Sequence, residues 1–151
     1  MTRIQEHVVT RLGRQAAFAY VADFANQAGW DPNTVSARRV DDGPLRVGTR
    51  FALEVRMGPR VTPMEYRITE LVAGERVVLV GEGRRIWTED AIDFRDEAGA
   101  TVVDYAAEIR LAGLMGLVQP LLGRAFASVG RAAAAGMRRE LDRLAAGPDQ
   151  V

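Results

Sequence analysis

Apolar and polar residues alternate through the middle of the chain, and the period changes at both ends. Phe51, Leu53, Val55 and Met57 are separated by Arg50, Ala52, Glu54 and Arg56, the pattern of a strand with one face buried. Met64, Tyr66 and Ile68 alternate in the same way with Glu65, Arg67 and Thr69. Ile86, Thr88, Asp90, Ile92 and Phe94 share one face of a further strand. Val103, Tyr105, Ala107 and Ile109 share one face of the last, with Asp104, Glu108 and Arg110 opposite. Between the runs stand turn formers: Asp42-Gly43-Pro44, Gly58-Pro59, Ala73-Gly74, Gly81-Glu82-Gly83 and Glu97-Ala98-Gly99. This spacing predicts an antiparallel meander of about six strands between Thr34 and Arg110, preceded by a short strand over Ile4 to Thr10.

Outside the meander the period is helical. Arg14 to Asp23 predicts a short helix and Phe24 to Ala28 a second, after which Gly29 and Pro32 end the helical stretch. After the last strand, Leu122, Phe126, Val129, Ala133, Met137, Leu141 and Leu144 recur at three- and four-residue steps, one apolar stripe on a helix from about Leu114 to Ala146. Arg138, Arg139, Glu140, Asp142 and Arg143 form its solvated face. Pro120 either starts this helix or kinks it, and Gly147-Pro148 ends it. Its centre, Gly130 with Ala132, Ala133, Ala134, Ala135 and Gly136, is built of small residues. Facing a curved sheet, these leave either close packing or a cavity.

Composition narrows the classes. The chain has 151 residues, fitting a single domain over 1–151 that can bury a core, and its 20 basic and 20 acidic residues cancel. Nothing global favours nucleic acid or an anionic surface. Every basic residue is Arg, so a Schiff-base lysine is excluded, and without cysteine so are disulfides, thiolate nucleophiles and Cys-ligated zinc. No apolar leader is seen at the N-terminus, and the longest apolar run, Leu111 to Leu122, is too short to span a bilayer. The expectation is a cytoplasmic protein, monomer or homodimer, without membrane insertion and without a nucleic-acid partner.

Three segments and the closing helix resemble a known family. "AAFAYVADFANQAGWDP" (16–32) is similar to its helix pair ending in Trp, "GPLRVGTRF" (43–51) to its second hairpin, and "AIDFRDEAGATVVDYAAEIRL" (91–111) to its last hairpin. The chain resembles the START/Bet v 1-like (SRPBCC) superfamily, and within it the polyketide cyclase/dehydrase and lipid-transport family. The resemblance implies an α+β helix-grip fold: a curved seven-stranded antiparallel sheet wrapped around the long C-terminal helix, with two short helices after the first strand. It also implies an internal cavity, with Phe18 to Trp30 forming one lip. Phe18, Tyr20 and Phe24 read equally as core packing, while the flanking Gly29 and Pro32 put Trp30 on a turn.

The usual catalytic machinery is missing. The one histidine, His7, sits on the first strand without an obvious partner, Ser36 and Ser128 lack a nucleophile-elbow context, and Gly81-x-Gly83 lacks the third glycine of a dinucleotide loop. No metal site and no cofactor are expected. What remains are polar groups in the apolar register. Asp90, among Ile86, Ile92 and Phe94, could be an acid or base of raised pKa, or could cap the sheet edge or pair with an Arg. The hydroxyls of Tyr66 and Tyr105 could orient a ligand or bond to backbone; Trp87 falls on the opposite register, on the outside or a rim. Asp90, Tyr105 and Tyr66 are thus the candidate catalytic residues. Trp30, Phe51, Leu53, Val55, Met64, Ile92, Phe126, Val129, Ala133 and Met137 are the candidate ligand contacts. Three functions follow in order: binding of a hydrophobic small molecule (a lipid, polyketide or similar), cofactor-independent cyclase/aromatase or dehydratase chemistry in the same cavity, and a protein-binding module.

Overall fold

The alternating runs form strands. In the computed structural model, which describes residues 1–147, they are β1 (Thr2–Thr10), β2 (Thr34–Arg39), β3 (Arg50–Met57), β4 (Arg60–Val72), β5 (Arg76–Gly83), β6 (Ile86–Glu97) and β7 (Ala100–Leu111). All pairings are antiparallel in the order β1-β7-β6-β5-β4-β3-β2: β2 to β7 make a meander, β1 joins β7, and β1 and β2 are the edges. Register shifts between Thr34 and Ser36 and between Ile68 and Glu70 mark irregularities that re-aim β2 and β4.

The β6–β7 hairpin turns on Ala98 and Gly99, both at positive φ (52° and 81°), as a two-residue loop matched to strand twist requires. The β5–β6 hairpin differs from the sequence expectation. Gly81-Glu82-Gly83 stays inside β5, and the turn falls on Arg84 and Arg85. Those glycines serve close packing rather than turning. A Cβ on Gly81 would lie 2.5 Å from the Tyr66 ring, and one on Gly83 2.6 Å from Met64 Sδ. They make room for side chains crossing over them from β4.

Between β1 and β2 come α1 (Arg14–Val21) and a 3-10 segment, Phe24–Gly29. Asp23 caps the latter by accepting from the Ala25 N–H at 3.1 Å and is held by Arg39 at 3.2 Å. This pair plugs one end of the sheet. Phe18 meets Phe94 edge-on at 5.2 Å and Phe24 meets Tyr66 at 5.3 Å, so both are core residues, each worth about 1.5–3 kcal/mol by burial.

The C-terminal stretch begins at Leu114, as its sequence predicts, but in three pieces: α2 (Leu114–Val118), a 3-10 turn over Gln119–Leu122, and α3 (Gly123–Ala146). Pro120 lies in the 3-10 turn, where its missing N–H is least costly. Gly147 follows α3 with φ 74°, while Pro148, the second half of the expected stop, lies outside the described residues. The helix leans on β1: Gly130 rests against Ile4, and Thr10 donates from Oγ1 to Asp142 at 2.8 Å. Farther along, Gly136 sits directly on the Trp30 carbonyl, and Met137 and Leu141 are fully buried. The small-residue centre therefore does not act as one unit. Ala132 and Ala135 face solvent, Gly136 is close-packed, and within Ala132–Gly136 Ala133 alone borders the cavity.

Candidate functional site

A cavity of about 360 Å³ lies between the sheet and the first half of α3. Its sheet wall comes from the inward register of four strands: Val55 and Met57 of β3, Met64 and Tyr66 of β4, Ile86, Thr88 and Asp90 of β6, and Tyr105, Ala107 and Ile109 of β7. The helix supplies Phe126, Val129, Gly130 and Ala133, while Met115 of α2 and Leu122 form a rim with Gly58 and Pro59 of the β3–β4 turn. Gln27, Asp31 and Asn33 close the remaining end. Two other hollows lie on the surface, one over β2–β4 with a mixed apolar and charged lining and one beside Arg14 lined mainly by charged side chains.

Asp90 is the chemical centre of the wall. It sits on the interior strand β6 and is 4% exposed, neither at an edge nor paired with an arginine among the described residues. The Tyr105 hydroxyl donates to its Oδ2 at 2.5 Å, while Oδ1 receives no hydrogen bond among the described residues. Cross-strand register explains the contact, since Asp90 lies opposite Ala107 and Tyr105 is two residues along on the same face of β7. Burial raises the Asp90 carboxyl to about 7; the Tyr105 hydrogen bond opposes the shift, and the charges of Asp31 and Glu89 add to it. The same burial and the Asp90 charge raise both tyrosines, so Tyr66 and Tyr105 are protonated donors at neutral pH.

Tyr66 accepts from Thr88 Oγ1 at 3.4 Å, across the gap that Gly81 leaves open. Trp30 packs edge-on to Tyr105 at 6.2 Å and fixes that ring from behind. At the closed end Asp31 accepts from the Asn33 N–H (2.9 Å), from Thr34 Oγ1 (3.0 Å) and from Gln27 Nε2 (3.3 Å). Burial nevertheless raises its pKa, more than these bonds lower it. The cavity thus carries two buried acids, and no arginine forms an ion pair with either among the described residues.

The sequence candidates divide in two. Asp90, Tyr66, Tyr105, Val55, Met64, Phe126, Val129 and Ala133 are brought together on the cavity wall. Trp30, Phe51, Leu53, Ile92 and Met137 are not; they belong to the solid core, where α1, the 3-10 segment and the second half of α3 fill the sheet's concavity. Gln27, Asp31 and Thr88 line the cavity without having been singled out. Asp31-Pro32-Asn33 has the residue types of a capped turn, but where that turn lands depends on how the 3-10 segment crosses the sheet. His7 is an ordinary strand residue, 2.6 Å from its exposed cross-strand partner Asp104. Trp87 lies on the outer face under the Arg110 guanidinium, 4.7 Å away. Among the described residues no cluster of His, Asp or Glu could hold a metal ion, and no helix is long and apolar enough to cross a membrane.

Comparison with known proteins agrees with this architecture. The family profile described as polyketide cyclase / dehydrase and lipid transport matches residues 1–147. No curated protein sequence matches significantly. Among solved structures, TTHA0849 from Thermus thermophilus is 14% identical with a TM-score of 0.76, over 96% of this chain and 99% of that one. A START superfamily protein from Mycobacterium smegmatis is 13% identical with a TM-score of 0.73, over 95% and 99%. The di-domain ARO/CYC BexL from the BE-7585A biosynthetic pathway is 17% identical with a TM-score of 0.73, over 99% of this chain and 48% of that one. At such identities the likeness is one of fold, and the fold is the START/Bet v 1-like helix grip.

Proposed function

The chain belongs to the polyketide cyclase / dehydrase and lipid transport family, and from that premise we propose that its cavity binds a small apolar molecule whose polar end meets Asp90 and Tyr105. One observation carries the reading: an apolar space roofed by α3 whose sheet wall holds a short polar strip of Tyr66, Thr88, Asp90 and Tyr105, with Arg56 beside the β3–β4 turn. Affinity would come from apolar burial, about 25 cal/mol per Å² removed from water, and orientation from the strip. At about 360 Å³ the space is at the small end of ligand pockets, which run from about 300 to 1,000 Å³. It suits a compact ring system or a single short chain better than a two-tailed lipid. The test is native mass spectrometry of freshly purified protein, together with titration of the neutral fluorophore N-phenyl-1-naphthylamine. Saturable uptake that is lost when Ala133 is enlarged supports the cavity; failure of the fluorophore to bind refutes it.

A second reading, cyclase/aromatase or dehydratase chemistry, is favoured by Asp90 itself. A carboxyl poised at about 7 suits a general base at neutral pH. As carboxylate it would take a proton from a methylene beside a carbonyl; the enolate would close on a second carbonyl of the same molecule, and the new alkoxide would take the proton back. Atoms balance without a redox partner, and the likeness to an ARO/CYC structure is consistent with it. With a substrate in hand, Asp90→Asn separates the readings. A base is worth about 100- to 10,000-fold in rate, whereas a carrier losing one neutral hydrogen bond weakens by about 0.5–1.5 kcal/mol.

A further inference from the structure

Beside the cavity mouth the chain holds large apolar side chains out in solvent. Leu114, Leu117 and Leu121 are 76%, 77% and 82% exposed, and Met115 and Val118 are substantially exposed beside them. This is not a frayed loop. Gln119, 5% exposed, anchors it: its Nε2 donates to the Ile109 carbonyl at 2.6 Å and to Thr2 Oγ1 at 2.9 Å, and its Oε1 accepts from the Leu111 N–H at 3.1 Å. A fixed cluster of exposed leucines marks an interaction surface.

Charge indicates what covers it. No Asp or Glu occurs between Leu111 and Arg124. The β5–β6 turn abuts the segment, with the Ala112 N–H donating to the Arg85 carbonyl at 2.9 Å and the Arg85 side chain beside Gly113. Arg84 and Arg85 on that turn and Arg124 at the start of α3 are exposed and enter no ion pair among the described residues. A second copy docking here about a two-fold axis would set these arginines against one another. An anionic surface would neutralise them.

We propose that the Leu114–Leu121 segment docks on the surface of an anionic lipid bilayer, with its leucines in the headgroup–acyl boundary and Arg84, Arg85 and Arg124 on lipid phosphates. Among the described residues no helix is long and apolar enough to span the bilayer. Met115 of this segment and Leu122, which follows it directly, form part of the cavity rim, so docking would turn the mouth toward the lipid. The docking itself is independent of what the cavity holds.

Flotation with phosphatidylcholine vesicles, with and without phosphatidylglycerol, tests it. Wild type should partition onto the anionic vesicles and weakly onto the neutral ones. Arg84→Gln with Arg85→Gln should lower partition about 20- to 30-fold, at about fivefold for each charge. Leu117→Gln with Leu121→Gln should reduce it by at least about tenfold. All four sites are exposed, so thermal melting should be unchanged, and Leu121→Ser alone gives a milder check. Equal partition onto both vesicle types, or variants that float like wild type, overturns the proposal. So does a wild type that ignores vesicles but is a dimer that the leucine variants convert to monomer.

Discussion

Replacing Asp90 by Asn probes the buried acid most directly. Shape is kept, and the amide oxygen can still accept from the Tyr105 hydroxyl, so only the capacity to ionise is lost. In the native chain burial raises the carboxyl from the ordinary 3.8 to about 7. Between those values the folded state keeps a proton that the unfolded chain has released, so stability falls as pH rises. The acid's contribution is complete below pH about 4 and is lost by the time pH has passed about 7. The interval corresponds to about 4 kcal/mol, at about 1.4 kcal/mol for each tenfold change in proton affinity. Water entering the cavity beside the carboxylate would reduce this, so about 2–4 kcal/mol is expected. The assay is urea unfolding of wild type and Asp90→Asn at close intervals from pH about 4 to about 8. Asp31 is present in both proteins, and its own titration largely cancels in the difference. The variant should gain on wild type steadily from pH about 4 to about 7 and level off above that. A difference that stays flat from pH 4 to 8 would mean that Asp90 titrates like a surface acid, and the general-base reading would fall with the burial argument.

Tyr105→Phe removes the hydrogen bond that lowers Asp90, so the carboxyl should titrate at still higher pH by carbon-13 NMR; a downward move would show that the bond does not favour the carboxylate. Gly81→Ala drives a methyl group into the Tyr66 ring and should cost about 1–3 kcal/mol in thermal or urea unfolding, and an unchanged midpoint would show that the crossing is not tight. Ala133→Leu should reduce N-phenyl-1-naphthylamine uptake at a cost of no more than about 1–3 kcal/mol, whereas Gly136→Leu meets the Trp30 backbone and should cost distinctly more. Equal stability losses at the two positions would contradict the packing difference along α3.

Strands β3, β4, β6 and β7 could be read from sequence because period-two alternation is a direct image of one buried face. Strand β5, with Val77, Val78 and Leu79 all buried, shows none and is marked only by the turns around it. Asp90, Tyr66 and Tyr105 stood out for the same reason, as polar residues in an apolar register. That register does not say which inward residues meet empty space. Phe51 and Val55 lie on one face of β3, yet the first is in solid core and the second on the cavity wall. The division depends on where the 3-10 segment and α3 come down on the sheet, which no local pattern encodes. Gly81 and Gly83 misled for a related reason. Glycine marks both turns and close crossings, and only the partner strand, with Tyr66 and Met64, decides between them.

The unequal packing of α3 also bears on how such a chain can change over time. From Gly136 to Leu141 each inward position is pinned by backbone or fully buried neighbours, so a new side chain there must disturb the fold before it can alter anything else. Ala125, Phe126 and Val129 border open space, where a substitution reshapes the chamber at little cost to folding. One continuous helix thus keeps its scaffold-forming and cavity-shaping positions two turns apart. Drift in the first half can reshape the cavity while the second half holds the architecture constant.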